Sequence, residues 1–229
     1  VEMTRIVQGW MDRLERRLEL PGSNSVEENA LKWNNYRWKR GENEWTPSPA
    51  WKQSVIEQVM IEHLTERAAV LEIGPGFGRW TRDLIENSSR YTGVDVTRKC
   101  VEHCIGTFGQ SDTVAFHLND GRSLSVVDDR SIDFVWSFDV FVHIEPDDIA
   151  AYLQEFRRVV RDDALIILHH GEIGRTPLSW RSSLTEEQFV GLVEENGFEL
   201  VQQIRSWGPD GQFKLAPGDA LSLLRKATR

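Results

Sequence analysis

Short apolar runs alternate with stretches of helical periodicity through most of this chain. The apolar runs suit strands that are buried on both faces of a parallel sheet, and they cover residues 70–73, 91–95, 113–118, 132–137 and 164–168. Helical patterns follow these runs at residues 79–85, 98–108, 147–160 and 185–195. Strands separated by helices indicate an α/β fold built from βαβ units.

The first 65 residues follow a different pattern. Apolar positions repeat at helical spacing from Met3 to Leu18, and Pro21-Gly22 ends this predicted helix. After the breaker Thr46-Pro47-Ser48-Pro49, a second helix is expected at roughly residues 50–65. We therefore predict an N-terminal helical cap or lid at residues 1–65 and a core domain at residues 66–229.

Aromatic residues crowd into the second half of this predicted cap. They are Trp33, Tyr36, Trp38, Trp45 and Trp51. Such rings either pack a cap onto the sheet or line a ligand cleft as a lid, where aromatic faces attract a cation. The two roles are compatible residue by residue, and the sequence does not decide between them.

Residues 70–78, Val-Leu-Glu-Ile-Gly-Pro-Gly-Phe-Gly, join the first strand of the core to the helix that follows. Gly74, Gly76 and Gly78 allow a tight turn and let a ligand approach the backbone amides closely. The next strand ends at Asp95, 21 residues after Gly74. A carboxylate at that spacing holds the two hydroxyls of a ribose in nucleotide-binding βαβ units. The turn therefore predicts a ligand that contains a nucleoside.

The glycine spacing is G-x-G-x-G rather than the G-x-G-x-x-G of dinucleotide-binding folds, and Glu72 precedes it within the strand. In these features the sequence resembles the class I methyltransferases that use S-adenosyl-L-methionine (SAM), with an NAD-binding fold as the main alternative. The resemblance implies a Rossmann-like, seven-stranded, mostly parallel sheet with an antiparallel last strand. Residues 198–204 and 220–226 suit its closing antiparallel pair.

The resemblance also implies a set of cofactor-binding residues. Those expected here are Glu72, Gly74, Gly76, Phe77, Gly78, Asp95, Asp120, Gly121 and Ser137. In family members an acid at the position of Asp120 accepts the adenine amino group, and a neighbouring amide serves the ring. SAM and its product S-adenosyl-L-homocysteine (SAH) are the expected ligands, bound by the core at residues 66–229 beneath the N-terminal cap.

Histidines follow two of the predicted strands on the ligand side of the sheet. His143 follows the fourth strand, and His169 and His170 follow the fifth, where strand alternation turns at most one of the two towards the site. Neutral imidazole is a suitable general base near pH 7. We predict His143 as the base, oriented by Asp139 or Glu145, with His169 as the reserve candidate.

The segment Phe138–Ile144, together with the Leu-His-His ending of the fifth strand, resembles bacterial sugar O-methyltransferases. This resemblance implies transfer to a hydroxyl of a sugar, glycoside or oligosaccharide. Transfer to another small acceptor, such as a phenol, carboxylate or amine, and a non-catalytic scaffold role are the alternatives. Some sugar methyltransferases also bind Mg²⁺. Here Mg²⁺ is a weaker hypothesis, because hard Mg²⁺ prefers oxygen donors and most of the side chains expected near the crevice, Asp139, His143, His169 and His170, offer nitrogen. No metal ligands are assigned, since no clear paired-carboxylate motif follows the fifth strand.

Charge and composition limit the remaining classes. The net charge of −9 and the isoelectric point near 5.2 disfavour a nucleic-acid partner, which needs a basic face. No apolar run approaches the ~20 residues of a membrane span, and the sequence starts without a signal-peptide pattern. Cys100 and Cys104 are expected to be reduced core thiols, which favours a cytoplasmic location.

Overall fold

The computed structural model of the protein describes residues 24–174 and 181–228. The helix predicted for residues 3–20 lies outside these ranges. None of the helices within them combines the length and apolar character that a membrane span requires.

Seven strands form one sheet in the order β3-β2-β1-β4-β5-β9-β6. Within the described residues the strands are β1 (Ala69–Ile73), β2 (Arg90–Asp95), β3 (Val114–Leu118), β4 (Ile132–Phe141), β5 (Val160–Gly171), β6 (Phe198–Ile204), β7 (Ser206–Trp207), β8 (Phe213–Lys214) and β9 (Asp219–Lys226). In this sheet β9 alone runs antiparallel, pairing with β5 on one side and β6 on the other. The predicted Rossmann-like sheet with an antiparallel last strand is confirmed.

Six α-helices accompany the strands in the described part of the chain. They are α1 (Val26–Asn35), α2 (Pro49–Val55), α3 (Thr81–Glu86), α4 (Arg98–Phe108), α5 (Pro146–Val159) and α6 (Glu186–Glu195). Helix α2 continues as a π-helical turn and a 3-10 turn to His63, close to the predicted end at residue 65. Helix α1 was not expected from the sequence.

Two strands are longer than their apolar runs. β4 extends to Phe141, with irregular pairing to β5 between Ser137 and Phe141. β5 begins at Val160, before the apolar run at residue 164, because Ile132 of β4 pairs with Val160. The extension of β4 places Asp139 and Val140 above the glycine turn, where the candidate site lies.

The hydrophobic core has two layers, one on each face of the sheet. Alternate residues of each central strand supply the two layers, as the period-two geometry of a strand requires. On one face, Val70 and Trp136 pack with α2, α3 and α4. On the other, Leu71 and Val135 pack with α5 and α6. The carboxyl ends of the parallel strands remain open at one edge, which is where open α/β sheets bind ligands.

Candidate functional site

The turn after β1 adopts a backbone conformation that only glycine accommodates easily. Gly74, Gly76 and Gly78 have φ angles of +70°, +57° and +88°. A Cβ atom on Gly74 would lie within 2.4 Å of Val140 Cγ2, and one on Gly76 within 2.8 Å of Trp38 Cη2. The turn thus needs glycine for its φ angles and for the side chains packed against it.

Asp95 ties the end of β2 to this turn. Its Oδ1 accepts hydrogen bonds from the backbone N–H and the hydroxyl of Thr97, both at 2.8 Å, and its Oδ2 accepts one from the Gly76 N–H at 3.1 Å. Burial raises the pKa of Asp95, and these donors oppose the shift. The carboxylate therefore sits on the wall of the crevice in a fixed orientation.

A cavity of about 100 Å³ lies above the turn and Asp95. The predicted residues that line it are Gly74, Gly76, Asp95, Gly121, Asp139 and His143. Its remaining wall is largely apolar and aromatic, with Trp33, Trp38, Trp45 and Tyr152 among the rings. An apolar pocket with a few fixed polar groups is the usual form of a small-molecule site.

Other predicted cofactor residues lie outside this cavity wall. Glu72 is buried, and its Oε2 accepts hydrogen bonds from the hydroxyls of Thr81 at 2.7 Å and Tyr91 at 2.5 Å. Burial raises the pKa of Glu72 to about 7. Ser137 is also buried, and its hydroxyl donates to the Ile73 carbonyl oxygen at 3.0 Å. These two side chains brace β1 from behind the turn.

The side chains of Phe77 and Asp120 contact other residues of the protein instead of lining this cavity. The ring of Phe77 is sandwiched between His103 and Trp38, with centroid distances of 3.8 and 4.6 Å. The carboxylate of Asp120 is turned towards its own loop, where it accepts from the backbone N–H groups of Arg122 and Ser123. Its neighbour Gly121 reaches the cavity, as the prediction of a backbone contact requires.

Residues 24–46, which we call the strap, cover the crevice. Val26 packs against Gly121, where an added Cβ would lie 2.4 Å from Val26 Cγ1. The Asn29 side-chain amide donates to the carbonyl oxygens of Asn24 at 3.1 Å and His143 at 2.9 Å. The strap thus holds the backbone of the segment that carries His143.

His143 lines the cavity beneath the strap. Its side chain is mostly buried, and its ring centroid lies 5.0 Å from that of Trp33. Its backbone N–H donates to the Val140 carbonyl oxygen at 2.9 Å, which closes the turn after β4. The structure therefore brings together the glycine turn, Asp95 and His143, the three elements that the sequence predicts for cofactor and base.

Asp139 and His169 belong to a chain of charged groups that runs away from the cavity. Asp139 has a φ angle of +59° and accepts from Arg79 Nη1 at 2.7 Å. Nδ1 of His169 lies 3.1 Å from both the backbone nitrogen and Oδ1 of Asp139. When Nδ1 carries no proton it accepts from the backbone N–H, and when it is protonated it donates to Oδ1. Beyond the ring, Asp219 Oδ2 lies 3.4 Å from Nε2, and Arg181 pairs with Asp219.

This arrangement shifts the pKa values in opposite directions. Burial acts to raise the pKa of Asp139, but the charge of Arg79 and the bond to His169 outweigh it and hold that pKa well below its usual range. Burial acts to lower the pKa of His169, but Asp139 and Asp219 outweigh it and raise that pKa. His169 is only 2% exposed and lies behind Asp139, without a place on the cavity wall.

His170 lies on the opposite side of β5 from His169. Its ring stacks on Phe189, with Nδ1 2.9 Å from the Gly171 carbonyl oxygen and Nε2 2.8 Å from the Ser222 hydroxyl. Burial lowers the pKa of His170 to about 4. The alternation expected from the sequence is therefore present, and His170 is a core residue.

Three residues near the site were not predicted from the sequence. Arg79 follows the glycine turn directly, and Asp219 and Arg181 come from the distant end of the chain. An arginine next to the motif was a visible signal, whereas nothing in the sequence connects Asp219 with His169. Within the described residues, no group of three or more His, Cys, Asp or Glu side chains could hold a metal ion, so the Mg²⁺ hypothesis gains no support.

Comparison with known proteins agrees with this geometry. Residues 70–163, which run from β1 to the first residues of β5, match the family described as the methyltransferase domain. The match covers 94 of the 229 residues of the chain. The methyltransferase prediction is therefore confirmed in its general form, while the comparisons leave the acceptor and the methylated atom open.

Solved structures show the same fold over most of this methyltransferase. It resembles DhpI in complex with SAH (18% identity, 90% of this chain and 100% of that one, TM-score 0.66). It also resembles the Burkholderia thailandensis 1,6-didemethyltoxoflavin N1-methyltransferase with bound 1,6-didemethyltoxoflavin and SAH (22% identity, 83% of this chain and 84% of that one, TM-score 0.63). A third similar structure is the CcbJ methyltransferase of Streptomyces caelestis (14% identity, 86% of this chain and 98% of that one, TM-score 0.65). At these identities the three likenesses show a shared fold.

Proposed function

We propose that this methyltransferase takes the methyl group of SAM and transfers it to a hydroxyl of a small acceptor, a sugar or glycoside, with His143 as general base. The observation that carries the proposal is that one cavity is lined by the glycine turn, Asp95 and His143. SAM supplies a methyl group that is already activated for displacement. The protein's task is to align the acceptor and, for a hydroxyl, to remove its proton.

The residues fit a nucleoside cofactor. A Cβ atom on Gly76 would meet Trp38 of the strap, so glycine lets the strap approach the turn closely. Asp95 presents a fixed carboxylate for the ribose hydroxyls, and Gly121 supplies backbone at the far end of the cavity. At least one buried donor, Trp38 Nε1, lacks a hydrogen-bond partner among the described residues and is available to a ligand.

His143 is a better candidate for the base than Asp139 or His169. Asp139 lines the cavity, but its ion pair with Arg79 depresses its pKa and makes it a weak base. His169 is buried behind Asp139 and cannot reach an acceptor in the cavity. His143 is the remaining imidazole on the wall. The aromatic rings beside it offer flat faces of the kind that sugars stack against.

The test is a methyl-transfer assay with labelled SAM across sugars, glycosides, phenols and amines, followed by kinetics of His143→Ala. A positioned general base contributes about 10²–10⁴-fold, so kcat should fall by that factor while SAH affinity stays nearly constant. His117→Ala, on the edge strand β3, is the matched control and should behave as wild type. Normal turnover of His143→Ala would show that His143 is not the general base and would favour an amine or carboxylate acceptor.

A further inference from the structure

The segment that carries His143 lies beyond the regular part of the sheet. The pairing of β4 with β5 becomes irregular after Ser137 and ends at Phe141, just before His143. Residues 142–145, which we call the His143 turn, therefore depend on contacts with other segments for their position. A general base acts only from within hydrogen-bond reach of the proton that it removes, so the position of this turn bears directly on the proposed reaction.

Three consecutive carbonyl oxygens of the His143 turn accept hydrogen bonds from distant segments. The Val142 oxygen accepts from the Ser182 N–H at 2.8 Å, and the Ile144 oxygen accepts from the Ser182 hydroxyl at 2.6 Å. Between them, the His143 oxygen accepts from the Asn29 side-chain amide at 2.9 Å. The turn is thus held both by the strap and by the chain that leads into α6.

The side chain of Glu145 connects the same three parts of the protein. Its Oε1 accepts at 3.2 Å from the side-chain amide of Asn24, at the start of the strap. Its Oε2 accepts from the backbone N–H of Ser183 at 3.2 Å and also from the Ser183 hydroxyl. One carboxylate therefore joins the strap, the His143 turn and the chain before α6.

Stabilisation of α5 does not account for this arrangement. Glu145 is the N-cap residue of α5, and the side chain of a cap residue usually accepts from the first amides of its own helix. Glu145 makes no such side-chain bond. Its carboxylate is directed to Asn24 and Ser183 instead, and Glu145 does not line the main cavity. The contacts of this carboxylate thus fix the turn rather than the helix or a ligand.

We propose that Glu145 is a positioning residue for the proposed base: together with Ser182 and Ser183 it holds the His143 turn so that the imidazole faces an acceptor in the cavity. The inference rests on the proposed role of His143 and deepens it. The sequence suggests Asp139 or Glu145 as the group that orients His143. In this proposal Glu145 does so through the backbone of the turn.

A double-mutant cycle on kcat tests this role. Glu145→Ala should lower kcat by up to about 100-fold, the cost of a displaced catalytic group, while SAH affinity stays near that of the wild type. The double variant with His143→Ala should turn over no more slowly than His143→Ala alone, because the group that Glu145 positions is then absent. Glu145→Gln keeps one of the two acceptor oxygens, so its kcat should fall between those of Glu145→Ala and the wild type.

Glu155→Ala is the matched control. Glu155 also belongs to α5 and also accepts from a backbone N–H of another segment, that of Leu124, but it does not line the cavity. This variant should keep the kcat of the wild type. SAH affinity and thermal unfolding of each variant establish that it is folded.

Two results would overturn the proposal. One is an undiminished kcat in folded Glu145→Ala. The other is a double variant that loses the same additional factor on top of His143→Ala, since such a loss does not act through the base. Where Glu145→Ala does not fold, Ser183→Ala removes the hydroxyl bond from the other side and takes its place in the cycle. Normal turnover of His143→Ala alone defeats the proposed function itself, and that result is obtained without any Glu145 variant.

Discussion

The single residue Asp95 joins two loops at the edge of the cavity. Its two carboxylate oxygens accept hydrogen bonds from two different loops, and the residue also lines the cavity. Asp95→Ala should therefore lower SAH affinity by about tenfold to a hundredfold, the value of a charge-assisted hydrogen bond. Asp120→Ala should change it little, since the Asp120 carboxylate bonds within its own loop. Calorimetry measures the SAH affinity of both variants; an equal loss for Asp120→Ala would support the predicted contact of Asp120 with the adenine.

Glu72 leads to a prediction about stability and pH. Its pKa is about 7 in the folded protein, against an ordinary value of 4.5 for an exposed glutamate, so folding favours its protonated form. That stability is fully present below about pH 4.5 and is lost as the pH rises through 7. Glu72→Gln keeps a neutral acceptor for Thr81 and Tyr91, so its stability relative to wild type should improve by about 3 kcal/mol from pH 4.5 to 8.

Chemical denaturation of the wild type and of Glu72→Gln across this pH range gives the difference between their free energies of unfolding, which isolates the effect of Glu72. The difference is needed because His170 acts in the opposite sense. Its pKa is lowered to about 4, so its contribution is present above about pH 6.5 and is lost as the pH falls towards 4. In the wild type these two contributions therefore oppose each other between pH 4.5 and 6.5. A Glu72→Gln curve parallel to the wild type would show that Glu72 titrates normally.

At the scale of elements, the carboxyl end of β4 is fixed by ionic contacts rather than by sheet pairing. The ladder with β5 is irregular between Ser137 and Phe141, and there Asp139 turns into the left-handed region between Arg79 and His169. Asparagine tolerates that conformation, so Asp139→Asn removes the charge and keeps the turn. The pKa of His169 should then fall, because Asp139 is the first of the two carboxylates that raise it.

Histidine titration followed by NMR checks this prediction for Asp139→Asn. The signal of His169 should move to a lower midpoint than in the wild type. Thermal unfolding should also show a loss of stability, since the variant leaves Arg79 buried with a weaker partner. An unchanged His169 midpoint would mean that the ring interacts mainly with Asp219 on its other side.

The sequence predicted elements where a single local pattern determines them. The apolar runs located the core strands, and the glycine motif located the turn and Asp95. Helix α1 escaped because residues 26–35 are mostly polar; it begins at the Ser25 cap and is held by Asn29 and Val26 against the loops of the core. The Asp139–His169–Asp219 contacts were also missed. They join β4 to its parallel neighbour β5 and then to β9, which is antiparallel and comes much later in the sequence.

At the scale of the whole molecule, the strap closes the site more tightly than a nucleoside cofactor allows. The main cavity holds about 100 Å³, whereas ligand pockets typically measure about 300–1,000 Å³. Trp33, Trp38 and Trp45 occupy much of the space above the turn. We therefore predict that the strap moves outward before the cofactor enters, so that this closed form exchanges with a minor open form.

This equilibrium predicts how fast SAH binds. When opening precedes binding, the observed rate reaches a ceiling at high SAH concentration instead of rising linearly. Asn29→Ala removes the side-chain bond from the strap to the His143 carbonyl oxygen, which is worth about 0.5–1.5 kcal/mol, so it should populate the open form about 2- to 10-fold more. Asn35→Ala is the matched control, because the Asn35 amide bonds only within α1. Stopped-flow tryptophan fluorescence follows the reaction; a linear rate that Asn29→Ala leaves unchanged would show that the strap does not gate the site.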